Sequence, residues 1–67
     1  MINASKIRAR MDALGVTVFQ VSEIWGKNRL VTARKLQGIS PMSLDDAEIL
    51  QEILKIDDED FGSYFFA

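Results

Sequence analysis

Apolar side chains recur along this chain at helical spacing, and glycines interrupt them at intervals. Ile7, Met11 and Leu14 stand at i, i+4 and i+7, which predicts one face of a first helix. Asn3 or Ser5 suits its start, and Gly15 suits the left-handed position after its end. Arg8 and Asp12 are spaced as an i, i+4 ion pair on its wet side. A second segment opens on Thr17-Val18-Phe19-Gln20, a capping box in which a hydroxyl and an amide each satisfy a free backbone N–H. Val18, Val21 and Trp25 give its apolar face, Phe19 and Ile24 widen that face, and Gly26 ends it. The β-branched residues from Val16 to Val18 also fit a strand, but the cap and the spacing favour a short helix.

The third segment runs from Asn28, a good N-cap, to about Gln37, with Gly38 as its stop. Leu30, Val31, Ala33 and Leu36 form no single stripe there, and Lys27, Arg29, Arg34 and Lys35 surround them, so this helix is expected to be half exposed. After Pro41, Ser43 to Asp46 reads as a second capping box. Leu44, Ala47, Leu50 and Leu54 are the expected buried face, widened by Ile49 and Ile53, with Asp45, Glu48, Glu52 and Lys55 outward. Asp57 is placed to cap a last short helix through Asp60, Phe61 and Tyr64. The pattern predicts an all-α chain of five short helices, one domain over residues 1–67.

The charges are unevenly distributed along the chain. The net charge is −2, but residues 1–38 carry +5 and residues 39–67 carry −7. Such bipolarity implies two unlike surfaces, one suited to an anionic partner. The chain has no His and no Cys. That removes imidazole bases, thiolate nucleophiles, disulfides and the usual zinc ligands. A domain this small buries only about 60% of its unfolded surface, so it depends on efficient helix packing or on a partner. No apolar run reaches membrane-spanning length, and Lys6, Arg8 and Arg10 precede no signal-peptide stretch. The expectation is a cytoplasmic protein that is not an enzyme, with no cofactor, no metal and no small-molecule substrate. Asp45 and Asp46 have no evident partner base, and no catalysis is assigned to them. The run Asp57-Asp58-Glu59-Asp60 puts Gly62 at the sixth position of a calcium-type loop, but Phe61 then falls on a ligand position. Acids near the positive end of a helix account for it better. The aromatic tail Tyr64-Phe65-Phe66 suits core closure, or an anchor for a dimer or a partner groove.

Residues 17–38 form the central feature: a capped helix, a glycine turn and a second, basic helix. This is the form of a helix-turn-helix, whose first helix braces on the phosphate backbone while the second enters the major groove. Ser22 is small where the two helices cross, and Val21 and Trp25 are apolar where they pack. Asn28 and Arg29 open the second helix, where side chains reach base edges. Arg suits guanine and Asn suits adenine. A plain helical hairpin with a solvated basic face would share the pattern. Charge segregation favours the binding module, because the positive half of the chain carries the hairpin.

These residues resemble the small phage-type helix-turn-helix regulators, the Cro/repressor-like group with a lambda-repressor-like DNA-binding domain. The resemblance rests on Gly15-Val16-Thr17, on Val21-Ser22 where the family favours Leu-Ala, on Trp25-Gly26, and on Arg34-Lys35-Leu36-Gln37-Gly38, close to the family's Arg-Lys-Leu-Asn-Gly. The spacing from Gly26 to Gly38 matches as well. Ser43-Leu44-Asp45-Asp46-Ala47 and Phe61-Gly62-Ser63-Tyr64-Phe65-Phe66 are similar to short Gram-positive phage members. The resemblance implies a lambda-repressor-like fold and a Cro-like regulator that binds operator DNA as a dimer in the bacterial host cell. Asn28, Arg29, Ala33 and Arg34 would then face bases or the groove. Thr17, Gln20, Lys35 and Gln37 would hold phosphates, with Lys27 beside them.

Three positions depart from the family. Lys27 and Thr32 stand where it favours apolar residues, and Leu30 stands where it often has a polar residue facing the groove. Polar groups inward and an apolar one outward suit a helix that faces protein. A slight rotation that buries Val31 or Leu30 would instead leave DNA binding intact. The alternative implied is an antirepressor, which binds a phage repressor through Lys27, Arg29, Leu30 and Arg34 and has little DNA affinity of its own. The low overall charge favours it, since phosphate neutralisation supplies much of DNA affinity.

Overall fold

A computed structural model describes residues 1–66. The described residues form five α-helices: α1 (Ala4–Leu14), α2 (Val18–Trp25), α3 (Arg29–Leu36), α4 (Leu44–Ile53) and α5 (Phe61–Phe65), with a 3-10 turn at Asp58–Asp60 before α5. The all-α, five-helix expectation holds. Among them, no helix is long and apolar enough to cross a membrane.

Local chemistry sets the boundaries. Asn3 caps α1 by accepting from the Lys6 N–H, and Gly15 closes it at φ 69°. Thr17 and Gln20 form both bonds of the capping box on α2, and Gly26 ends that helix at φ 69°. Asn28 caps α3 through the Val31 N–H. Ser43 and Asp46 form the second capping box, on α4. The last helix differs from expectation: Asp57 makes no side-chain cap bond. Instead the Gln51 amide donates to the Ile56 carbonyl and to the Asp58 carboxylate, which fixes the 3-10 turn.

The core gathers Ile7 and Met11 of α1, Val21 and Trp25 of α2, Leu36 of α3, Ala47 and Leu50 of α4 with Leu54 at its C-cap, then Ile56 and Phe65. Burying each large apolar side chain contributes about 1.5–3 kcal/mol. Four expected core residues are exposed. Leu14 sits at the last turn of α1, and Leu44 at the first position of α4, 59% exposed. Phe19 and Ile24 are 54% and 58% exposed, because each lies about 100° round α2 from the centre of its buried arc, Val21, Ser22 and Trp25. The expected Arg8–Asp12 ion pair does not form among the described residues.

Long-range polar bonds close the bundle. The Asn3 N–H donates to the Tyr64 carbonyl at 2.7 Å, which joins the two ends. The Arg10 guanidinium donates to the carbonyls of Leu54 and Lys55, at 2.8 and 3.0 Å. That clamps the C-terminus of α4 to α1, next to a left-handed Lys55 at φ 53°.

Candidate helix-turn-helix interface

Helices α2 and α3 pack against each other across the Gly26 turn, and α4 packs behind α2. Ser22 fits the crossing: it is buried, and its hydroxyl donates to the Phe19 carbonyl at 2.7 Å. The Trp25 indole N–H donates to the Asp46 carbonyl at 3.1 Å, which ties α2 to the first turn of α4.

Asp46 is the hub of this corner. It falls within the buried arc of α4, with Ala47, Leu50 and Leu54, whereas Leu44 lies about 100° from the centre of that arc. Its carboxylate accepts from Lys27 Nζ at 3.1 Å and from Lys35 Nζ at 2.7 Å. Burial pushes the carboxyl pKa up, but donors from Lys35, Lys27 and Ser43 outweigh it and hold the group at about 2. Asp46 is therefore ionised throughout the physiological range, and two of the seven cations in the basic half are turned inward. The sequence spacing offers Asp46 only Ser43 as a partner, in the capping box, and no cation. The signal was its place on the wheel: a carboxylate inside an apolar arc needs cations from another helix.

The expected DNA-contacting residues divide accordingly. Lys27 and Lys35 point at Asp46, not outward. Ala33 is half-buried and lines a hollow of about 590 Å³ between α1 and α3, with Met11, Leu36 and Gln37. The Thr17 hydroxyl and Gln20 carbonyl are occupied in the capping box, and the Asn28 carbonyl caps α3. Arg29, Arg34 and Gln37 are exposed, and neither arginine has an ion-pair partner among the described residues. The Arg29 guanidinium stands over the Phe19 ring, 5.8 Å from its centre.

The outer face of α3 is Leu30, Arg34 and Gln37 at i, i+4 and i+7, with Val31 beside them. Leu30 is 61% exposed. Thr32 is fully buried, and its hydroxyl is, among the described residues, the one buried side-chain polar atom without a hydrogen-bond partner. The alternative in which α3 rotates to bury Leu30 or Val31 is thus not the arrangement found. The second motif helix carries a polar group inward and leucine outward.

Elsewhere the basic half is used for structure. Arg10 holds the α4 terminus, and Lys6 donates to Ser63 at 2.8 Å and lies over the Tyr64 ring. Oxygens of Asp57, Glu59 and Asp60 lie within 4.8 Å of one another, but all three residues are exposed. Comparison of the chain with protein-family models, with characterised proteins and with solved structures finds no match.

Proposed function

We propose that this protein is a small helix-turn-helix regulator of the phage type that acts in the host cytoplasm by binding a repressor protein. The contact face is the outside of α2 and α3. The observation that carries the reading is the outward Leu30, flanked by Arg29 and Arg34, on the helix that would otherwise read bases. A leucine at that place offers no hydrogen bond to a base edge, whereas it suits the apolar centre of a protein interface with arginines at its rim. The inward turn of Lys27 and Lys35 further reduces the charge available for phosphate.

Operator binding by a Cro-like dimer is the second reading. Its support is that Asn28, Arg29, Arg34 and Gln37 remain exposed, from the N-cap of α3 to its C-cap. Mobility-shift assays on the neighbouring promoter and co-purification with the repressor of the same switch test the two. Co-purification without a DNA shift at micromolar protein and low salt supports the antirepressor. A salt-sensitive shift by the pure protein, without a complex, supports the Cro-like regulator.

A further inference from the structure

The outer side of α2 holds apolar surface, at Phe19 and Ile24, that the core leaves exposed. Val16, Phe19, Gln20, Glu23, Ile24 and Ile53 line an open hollow of about 350 Å³ between α2 and the end of α4. A second shallow hollow, about 430 Å³, shares Phe19 and Glu23 with the first and continues to Asn28 and Arg29. The two form one track, apolar at the Ile53 end and cationic at the Arg29 end. Arg29 is held at that end by the Phe19 ring and has no carboxylate partner among the described residues.

We infer that this track is the seat of an amphipathic helix of the partner protein, with apolar side chains against Ile24 and Phe19 and a carboxylate against Arg29. The inference rests on the protein-binding reading above and names the chemistry of the partner. Charge decides the occupant. Arg29, already packed on an aromatic face, lacks only an anion, and a carboxylate accepts two of its N–H groups at once. Glu23 lines the rim of both hollows, so the partner places a neutral or basic residue opposite it and its acid only at the Arg29 end. The apolar floor takes side chains in the way of helix-in-groove recognition, with anchors at i, i+3 and i+4. Nucleic acid would leave that floor wet.

The test uses the whole chain and two labelled helical peptides of about 15 residues, long enough to hold an apolar stripe. Both carry the same leucines; one has glutamate at the Arg29 end and the other lysine. Fluorescence anisotropy is expected to show the glutamate peptide binding at least about tenfold more tightly. Ile24→Asp should abolish that binding, and Arg29→Glu should reverse the preference, with circular dichroism unchanged in both variants. Equal binding of the two peptides, no binding of either, or binding unaffected by Ile24→Asp overturns the inference. So does self-association of the chain that Ile24→Asp abolishes, since a second copy would then occupy the track. If the repressor binds the chain while neither peptide does, the track fails and the protein-binding reading stands.

Discussion

Lys35 Nζ lies 2.7 Å from Asp46 Oδ2, so the last turn of α3 is pinned to the first turn of α4. The same carboxylate holds Lys27 at the helix-turn-helix turn and the Ser43 N–H at the start of α4. One side chain thus fixes three segments and determines which face α3 presents. Asp46→Ala removes these bonds and leaves two partly buried ammonium groups without an anion. The expected loss is about 2 kcal/mol, since hydrogen bonds to charged groups contribute about 1.5–3 kcal/mol each and these lysines regain some water. Urea denaturation measures it. A loss under about 0.5 kcal/mol, the usual surface value, would contradict the pinning role.

The same group sets an acid limit. Its folded pKa, about 2, lies below the ordinary aspartate value of 3.8, so its contribution is complete above the unfolded pKa and disappears as pH falls through the folded one. The stability difference between the wild type and Asp46→Asn should be constant from pH 7 down to about 4 and shrink between about 4 and 2. Thermal unfolding of both proteins across that range checks it. A difference that does not change between those limits would place Asp46 outside the network.

Thr32→Val should stabilise the fold by about 1–2 kcal/mol. The side chain is fully buried with an unpartnered hydroxyl, and valine keeps the shape without that desolvated group. A lower melting temperature in the variant would mean that the hydroxyl has a partner in solution.

Lys55→Gly should also stabilise, by roughly 0.5–1 kcal/mol. Lys55 stands at φ 53°, where an L side chain is strained and glycine is not, and glycine returns part of the gain through its freer unfolded chain. Chemical denaturation gives the sign directly.

What the sequence disclosed was local. Thr17 with Gln20, Asn28, Ser43 with Asp46, and the glycines at 15, 26 and 38 act on backbone within a few residues, and each forms the cap or stop expected of it. The outward stripe of α4 was legible too, because Asp45, Glu48 and Glu52 share an exposed face, although Lys55, expected to continue it, falls past the helix end in a left-handed conformation. The rest depends on contacts distant in sequence. Asp46 meets Lys27 and Lys35, 19 and 11 positions away, and no spacing rule reaches that far. Phe19, Ile24 and Leu44 resemble core by composition and turn outward because other side chains already fill the arc between α2 and α4. The site followed the same division: the pair of capped helices across the Gly26 turn was readable, but which of its cations remain free was not.

On the proposed function, the outer face of α3 meets protein through Leu30. Calorimetric titration of the pure chain with the repressor of its switch, repeated with Leu30→Asp, tests it most directly. Leu30 is exposed, so the substitution should change stability by no more than about 0.5 kcal/mol. The wild type is expected to bind the repressor, and Leu30→Asp to weaken the complex at least about tenfold, a loss of about 1.4 kcal/mol or more. No heat of binding with the repressor, together with promoter binding that Arg29→Ala weakens by about 1–3 kcal/mol and that salt suppresses steeply, would contradict it.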